Sequence, residues 1–293
     1  MLVGIVTVLY NSDSVLPGFF SSLRGQTERR FRLYIIDNSP VDSGLQLARQ
    51  LAPESGVDAV FKFNGANLGV AAGNNQGIDL ALADGCTHVL LANNDTEFAA
   101  GILGGLLRTL ELTGSSAVTP KLYYYGEANL IWYAGGDIRP WTMRVPHYGM
   151  LARDRGQYDH QSHVAYAPTC FLLLRAEVFA AVGRMDERYF VYYDDADFIW
   201  RMGRCGMRIA FASDLVVLHK VSTSTGGGES LFTLYYTNRN RLYFIRKHFH
   251  GPQKWLSLSF ALLSRPWRLL RLPAPKVARA WRGVLDGLRM PVR

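Results

Sequence analysis

The chain has 293 residues, of which 48% are hydrophobic and 19% are charged, and its formal net charge is +8. This composition excludes an extended disordered chain and suits one large α/β domain with a smaller appendage. The positive charge predicts an anionic partner, which could be nucleic acid, a membrane surface or a phosphorylated substrate. Cys86, Cys170 and Cys205 lie far apart without CxxC spacing, which argues against disulfides and a zinc site and favours a reducing cytoplasm.

The N-terminal run MLVGIVTVL has no basic region before it and is short, so it is predicted to be a first strand and not a signal peptide. No apolar run reaches the ~18 to 20 residues that a membrane-spanning helix needs. The first half of the chain then alternates between apolar strands and amphipathic helices, which is typical of a doubly wound parallel sheet. The predicted strands are residues 2–9, 33–36, 59–63 and 89–92, and the predicted helices end near residues 24, 51 and 83.

The second half continues the α/β pattern with a long interruption. The predicted elements are helices at 100–112 and 176–182 and strands at 117–125, 169–174 and 214–218. Residues 126–165 are rich in Gly, Trp, Tyr and His without a clear period, which predicts loops.

Two of the predicted strands end in acidic and amide side chains. Asp37 follows strand 33–36, and Asn93, Asn94 and Asp95 follow strand 89–92. Ligands bind at the carboxyl edge of open α/β sheets, so a carboxylate there can hold a metal ion that bridges a phosphorylated substrate. Because Asn and Asp are ordinary turn residues, each cluster alone also fits a plain strand-to-turn junction.

Gly69, Gly73 and Gly77 recur at every fourth position in NLGVAAGNNQG. Glycines let the backbone approach a ligand closely, and small residues also permit close packing of a helix against its neighbour. From this pattern alone the packing interpretation is favoured.

A second group of acids follows the aromatic run at 189–193 and opens a predicted helix that ends at Gly206. These acids are Asp194, Asp195 and Asp197. Helix capping would account for one or two of them, whereas the aromatic neighbours predict a partly apolar pocket in which one acid acts as a general base. Strand 214–218 leads to His219, which fits either a structural imidazole or a metal ligand beside a carboxylate.

Taken in order, these motifs resemble the glycosyltransferase family 2 enzymes with the GT-A fold, in particular bacterial rhamnosyltransferase-like and galactofuranosyltransferase-like members. The motifs are VTVLYN, IIDNS, NLGVAAGNNQG, LLANND, GRMDE, YYDDADFIWR and LHKVSTSTGG. The resemblance implies an α/β GT-A fold with a mostly parallel, doubly wound sheet in residues 1–230. It divides that domain into a nucleotide-sugar half (1–97) and an acceptor half (98–230), followed by a C-terminal helical extension (231–293).

The resemblance also implies roles for individual residues. Asp95 matches the last acid of the DxD motif, which holds Mn²⁺ or Mg²⁺ on the donor diphosphate, and His219 matches a histidine that completes the metal shell. Asp195 matches the catalytic base, and the neighbouring acids that could support it or contact the acceptor are Asp194, Asp197 and Asp186. The implied nucleotide site comprises Thr7, Tyr10, Asp37, Asn67, Gly73, Asn74 and Asn94, with Asn75 in its floor. Asp37 would read the imide of a uracil or thymine base.

Two residues depart from the family pattern. Asn93 replaces the first acid of DxD, so metal binding depends on one carboxylate. Asn74 stands where many relatives carry an arginine near the diphosphate, so the metal or another group must supply that charge.

These roles imply an inverting glycosyltransferase that moves a sugar from a nucleotide-diphosphate donor, first of all dTDP-L-rhamnose, to a hydroxyl of a polysaccharide or lipid-linked glycan, as in O-antigen or cell-wall synthesis. A UDP-galactofuranose or other UDP-sugar transferase is the alternative, and a nucleotidyltransferase using the same nucleotide site is a more distant one. A Rossmann oxidoreductase would need GxGxxG after strand 1, where the chain has YNSDS. A nucleic-acid partner is not expected, because the basic residues concentrate in the tail.

The tail is basic and amphipathic. Residues 252–293 contain nine Lys or Arg and one acid, Asp286. Apolar residues recur on one helical face with Lys276, Arg279 and Arg282 around it; they are Val277, Trp281, Val284, Leu285 and Leu288. This pattern predicts either an interfacial helix that places the protein peripherally on the inner face of the bacterial plasma membrane, or a helix packed on the catalytic domain with a solvated basic face.

Overall fold

The computed structural model describes residues 2–221, 230–264 and 272–292. The strands in these ranges are β1 (Val3–Leu9), β2 (Phe31–Asp37), β3 (Ala59–Phe63), β4 (His88–Ala92), β5 (Thr96–Phe98), β6 (Ala117–Tyr124), β7 (Ile131–Tyr133), β8 (His163–Val164), β9 (Phe171–Arg175) and β10 (Ile209–His219). The α-helices are α1 (Leu16–Arg24), α2 (Ser43–Glu54), α3 (Val70–Ala83), α4 (Ile102–Thr113), α5 (Glu177–Val182), α6 (Asp194–Arg204), α7 (Leu231–His248), α8 (Gly251–Leu263) and α9 (Ala274–Arg289). A short 3₁₀ helix covers Glu187–Tyr189.

All of these strands belong to one sheet with the order β3-β2-β1-β4-β9-β6-β10-β5, and β7 and β8 pair with β6 and β10. Strands β3, β2, β1 and β4 are parallel, as predicted. Strand β9 runs antiparallel to both β4 and β6, and β6 is parallel to β10. The sheet is therefore mixed, and the expected parallel arrangement describes its first half. Because β9 reverses the direction once on each side, β1, β2, β4, β6 and β10 all end at the same edge.

Packing of α3 against β1 explains the glycine repeat. A Cβ atom at Gly73 would lie 2.7 Å from the side chain of Val8, and one at Gly77 would lie 2.3 Å from Val6. Since real Cβ atoms almost never approach that closely, the two glycines let the helix lie directly on the strand. The helix begins at Val70, and Gly69 before it has a φ of 87°. The packing interpretation of Gly73 and Gly77 is confirmed.

The predicted loop region 126–165 contains β7 and β8 and is tied to the sheet by a buried cation. The amino group of Lys121 on β6 lies 2.5 Å from Asp154 and 2.6 Å from Asp159, and its side chain is 3% exposed. The ion pairs hold this region over the end of β6. Strand β10 is also longer than predicted, because its register shifts between Ala212 and Val216 and the strand continues on both sides of the irregularity.

The C-terminal helix α9 packs closely on α7. A Cβ atom at Gly283 or Gly287 would lie 2.3 Å from the carbonyl oxygen of Tyr235 or Arg239, respectively. The predicted apolar face of α9 is divided: Val284 is buried with Ala280 and the two glycines, whereas three large residues stay exposed. These are Trp281, Leu285 and Leu288, with exposed fractions of 36%, 47% and 37%. No helix within the described ranges has the length and apolarity to cross a membrane. The divisions at residues 97 and 230 stay predictions.

Candidate active site

A cleft of about 750 Å³ lies at the carboxyl edge of the sheet. Strands β1, β4 and β10 reach it with the residues at or just beyond their ends, α3 reaches it with its first turn, and the segment before α6 closes it. The predicted site residues that line this cleft are Tyr10, Asn67, Asn74, Asn94, Asp95, Asp194, Asp195 and His219. Residues from both chemical clusters in the sequence therefore meet in one space.

Backbone pairing sets Asp95 and His219 side by side. His219 pairs with Thr96 in the antiparallel β10–β5 ladder, and the backbone N–H of Lys220 donates to the Asp95 carbonyl at 2.9 Å. As a result, His219 Nε2 lies 3.3 Å from Asp95 Oδ1. Adjacent ligands of an octahedral ion with bonds of about 2.1 Å stand about 3 Å apart, so this pair fits two positions of a divalent metal shell.

Within the described part of the chain, no cluster of three or more His, Cys, Asp or Glu side chains is suited to a metal. Two protein ligands would leave the other positions to phosphate oxygens and water, an arrangement that Mg²⁺ commonly adopts. The described residues that line the cleft also include no Lys or Arg. Among its described lining residues, the cleft therefore offers carboxylates and amides but no fixed side-chain cation to balance a diphosphate.

Asp194 and Asp195 lie side by side at the start of α6, and both line the cleft. The Asp195 carboxylate accepts hydrogen bonds from the hydroxyl of Tyr166 and, at 2.7 Å, from the backbone N–H of Ala196. Burial raises the pKa of both acids; the charge of Asp195 raises the pKa of Asp194 further, whereas the Tyr166 hydrogen bond opposes the rise at Asp195. Asp195 is therefore the member of the pair that gives up its proton more readily.

The backbone before this acid pair is strained. Phe190, Tyr192 and Tyr193 have φ values of 66°, 62° and 67°, a left-handed region that bulky side chains rarely adopt. Each such residue costs about 1–3 kcal/mol and persists only where the surrounding structure holds it. All three residues line the cleft. The aromatic run that the sequence places before the acids therefore forms a strained wall of the site.

Two predicted acids lie outside the cleft in a buried network. Asp197 accepts from Arg201 at 2.8 Å, from Lys247 at 2.6 Å and from His248 at 2.6 Å. Burial disfavours its charge, but the His248 hydrogen bond and the charges of Lys247 and Arg201 outweigh burial and hold the pKa of Asp197 well below its usual range. Asp186 shares Lys247 with Asp197 at 2.8 Å. Both acids support the segment around the site and do not face the cleft.

Four residues expected at the nucleotide lie beneath the cleft surface. Gly73 contacts Val8, and Asn75 does not form the floor of the cleft, because its amide bonds the backbone of Met185 and the side chain of Glu187. Asp37 is fully buried, and its Oδ1 accepts from the Ser39 N–H at 2.8 Å. The buried atoms Asp37 Oδ2 and Thr7 Oγ1 have no hydrogen-bond partner among the described residues. Their roles stay predictions.

Three further aromatic residues of the site were not predicted from the sequence: Trp132, His147 and Tyr166. The Trp132 ring meets the rings of His147 and His219 edge-on, with centroids 4.7 Å and 4.6 Å away, and His147 stacks on Tyr166. Burial lowers the pKa of His147 to about 4, so this imidazole is neutral near pH 7. These residues link the metal-type pair to Asp195. The only signal for them was the density of Trp, Tyr and His in a region without periodicity.

Sequence comparison relates most of the chain to known proteins. The model of the family described as "Glycosyl transferase family 2" matches residues 4–183. The chain is 26% identical over 290 residues to N-acetylglucosaminyl-diphospho-decaprenol L-rhamnosyltransferase of Mycobacterium tuberculosis, with 89% of this chain and 91% of the relative covered. It is 22% identical over 291 residues to the low-salt glycan biosynthesis hexosyltransferase Agl10 of Haloferax volcanii, with 97% and 90% covered.

The fold is similar to that of a solved structure, GalNAc-T7 with UDP, GalNAc and Mn²⁺. The TM-score is 0.68 at 15% sequence identity, over 98% of this chain and 54% of the other. At that identity the likeness concerns the fold alone, and it confirms the predicted GT-A architecture.

Proposed function

Because the chain belongs to glycosyl transferase family 2, we propose that its cleft transfers a sugar from dTDP-L-rhamnose to a hydroxyl group of a lipid-linked glycan, with inversion at the anomeric carbon. Family membership makes the protein a glycosyltransferase that uses a nucleotide-sugar donor. The observation that carries the finer proposal is that one cleft holds both a metal-type couple, Asp95 and His219, and the carboxylate of Asp195, which Tyr166 holds by a hydrogen bond.

Asp95 and His219 would hold Mn²⁺ or Mg²⁺, which when bound neutralises the charge of the donor diphosphate and makes it a better leaving group. The lack of Lys or Arg among the described lining residues supports a metal requirement, because the carboxylates of Asp95 and Asp195 alone would repel a diphosphate. An arginine at position 74 would have met part of that charge. Asn74 lines the cleft but is neutral.

Asp195 is the base of this mechanism. Its carboxylate takes the proton of the acceptor hydroxyl as the new bond forms between the hydroxyl oxygen and C1 of the sugar, while the bond from C1 to the diphosphate oxygen breaks. Tyr166 holds one carboxylate oxygen in place. One base and one displacement invert the configuration at C1, and no carboxylate needs to form a covalent intermediate.

The donor base is assigned to Asp37. A buried carboxylate oxygen without a partner among the described residues is costly, and the imide N–H of thymine or uracil would satisfy it. Because both bases carry this N–H, UDP-galactofuranose and other UDP-sugars remain the alternative donors. The similarity to the mycobacterial L-rhamnosyltransferase, which is named for a decaprenol-linked acceptor, supports rhamnose as the sugar and a lipid-linked acceptor. A nucleotidyltransferase is less well supported, because a triphosphate would need a basic residue that the described cleft lining does not offer.

We also propose that α9 binds an anionic membrane surface. Trp281, Leu285 and Leu288 form an exposed stripe on the side of α9 away from α7, and Arg282 and Arg289 lie one turn from Leu285. Each cation near an anionic surface contributes about 1 kcal/mol, and the apolar stripe adds to that. Replacing the three stripe residues with Ser should abolish binding to phosphatidylglycerol vesicles. Leu112→Ser, at a residue that is 82% exposed on α4, is the control. Equal binding by both proteins would refute the membrane proposal.

The transfer proposal is tested with purified enzyme, Mn²⁺, and dTDP-L-rhamnose or a panel of UDP-sugars, with polyprenyl-diphosphate-linked N-acetylglucosamine as acceptor. Release of dTDP with a rhamnosylated product supports it. Turnover only with a UDP-sugar would show that the donor is a UDP-sugar and not dTDP-L-rhamnose. Release of pyrophosphate would show that the reaction is nucleotidyl transfer and not sugar transfer. A nucleotide present at 100 times its dissociation constant should stabilise the fold by about 2.7 kcal/mol, which identifies the preferred base independently of the acceptor.

A further inference from the structure

Three backbone carbonyls in the strained wall of the cleft converge on one side chain. Nδ2 of Asn240, on α7, lies 2.9 Å from the carbonyl oxygen of Tyr189, 2.7 Å from that of Val191 and 2.8 Å from that of Tyr192. Asn240 is fully buried. An amide has two N–H donors, so at least one of them is shared between two of these three carbonyls.

Arg239 fixes the orientation of this amide. Its Nε donates to Oδ1 of Asn240 at 2.8 Å, so the amide nitrogen faces the carbonyls. Its Nη2 donates to the carbonyl oxygens of Arg188 and Tyr189 at 2.8 Å and 2.7 Å. The guanidinium and the amide together contact four carbonyls between residues 188 and 192, and only a rigid fork of donors can meet several acceptors in this way.

The aromatic side chains of the same segment also pack against α7. Phe190 stacks on Tyr236, with ring centroids 5.1 Å apart, and the hydroxyl of Tyr192 lies 3.0 Å from Oγ1 of Thr233. The backbone of Arg239 is in turn covered by α9 at Gly287. The helix that holds the strained segment is therefore itself held from behind.

We propose that Asn240, oriented by Arg239, is a positioning residue for Asp195: it keeps the left-handed residues of the segment 189–193 in place and so positions the acid that follows. This inference rests on the role given to Asp195 in the proposed function. Without the amide donors, Tyr192 and Tyr193 relax towards negative φ, and the carboxylate leaves its position beside Tyr166. A displacement of about 1 Å at a reacting group lowers the rate about 10²-fold.

The test compares Asn240→Asp with Asn238→Asp in the full-length protein. Both residues are buried asparagines on α7, but the Asn238 amide donates to the Leu234 carbonyl of its own helix and not to the strained segment. Asn240→Asp should lower kcat about 10²-fold and leave the binding of dTDP with Mn²⁺ in place, because Asp37 and Asp95 belong to the sheet edge. Hydrogen exchange of the amides in residues 189–195 should become faster. Asn238→Asp should lose comparable thermal stability with neither effect.

Should Asn240→Asp not fold, Arg239→Lys provides the same measurement, since lysine keeps the charge but cannot orient the amide and reach two carbonyls. Unchanged exchange in residues 189–195 would overturn the positioning role. Faster exchange with unchanged kcat would overturn its link to catalysis. If the wild type transfers no sugar from any donor tested, the proposed function fails, while the exchange comparison still decides whether Asn240 holds the segment.

Discussion

The two sides of the cleft achieve their geometry by different means. On the donor side, Asp95 lies just before β5 and His219 is the last residue of β10. These two strands pair in register, so the sheet itself sets the 3.3 Å between the two side chains. On the acid side, Asp195 follows a segment with three left-handed aromatic residues, and side chains of α7 hold that segment by backbone carbonyls between residues 188 and 192. A sheet edge is rigid through many shared backbone bonds, whereas the acid side depends on a few side chains. Substitutions should therefore affect the two sides differently.

The largest effect is expected from Asp195→Asn. The amide keeps the shape of the side chain but cannot take a proton, so turnover should fall by about 10² to 10⁴ while dTDP and Mn²⁺ still bind. Paired calorimetry and product-release assays measure both quantities. Asp194→Asn is the matched comparison: because burial and the charge of Asp195 raise the pKa of Asp194 more strongly, its amide variant should lose much less activity. A smaller loss in Asp195→Asn than in Asp194→Asn would exchange their roles.

On the donor side, Asp95→Ala should abolish the Mn²⁺-dependent binding of dTDP as well as turnover, and His219→Ala should retain part of both. Loss of groups that merely support metal ligands costs about 10- to 100-fold in metal affinity, so loss of the carboxylate should cost at least as much. Calorimetric titration of dTDP with and without EDTA checks this. Manganese-dependent binding at wild-type strength in Asp95→Ala would remove Asp95 from the metal site.

A smaller effect should follow from Tyr166→Phe. Burial raises the pKa of Asp195, and the Tyr166 hydrogen bond opposes that rise. Without the hydroxyl the pKa should be higher still, so the acidic limb of the kcat/KM profile should move to higher pH. The basic limb and the affinity for dTDP should not move. An acidic limb that stays in place would show that another group titrates there.

The mildest test concerns the scaffold behind the acid side. Burial disfavours the charge of Asp186, but Arg188 and Lys247 outweigh it and lower its pKa from 3.8 to about 2. A carboxyl group whose pKa is lower in the folded state stabilises the fold at pH values above its unfolded-state pKa. This stability is lost as the pH falls through the folded-state pKa. The free energy of unfolding, measured in urea, should therefore be about 2 kcal/mol lower at pH 2 than at pH 5 because of this group. Asp186→Asn should be less stable at pH 5 and show a flatter dependence.

The sequence reveals the donor side better than the acid side. Apolar runs show where strands end, so Asp37, Asn94, Asp95 and His219 could be placed on a common edge from periodicity and spacing. The acids after the aromatic run could also be assigned to the site. Their support could not, because Asn240 is one amide within an aromatic, basic helix, and no local pattern distinguishes it from Asn238.

The sequence also does not show which basic residues form contacts inside the fold. The net charge of +8 predicted an anionic partner, yet Arg246 donates to the carbonyls of Gly287 and Met290, and Lys247 bridges Asp186 and Asp197. The large apolar residues of α9 were likewise predicted to form one face of the helix. The side that is buried against α7 is instead the one that carries Gly283 and Gly287. Glycine carries no hydrophobic signal, so a pattern built on large side chains cannot find such an interface.

The close seating of α9 on α7 has a consequence for synthesis. A ribosome makes the acid segment first, and about 100 more residues must follow before α9 is complete, which takes about 5–20 s at ordinary elongation rates. During that interval the sheet edge can already form and bind nucleotide, but the strained segment lacks the helices that hold it. We therefore expect the nascent chain to become a nucleotide binder before it becomes a transferase. Ribosome-bound chains stalled after α6, α7 and α9 should show that order in nucleotide binding and protease resistance.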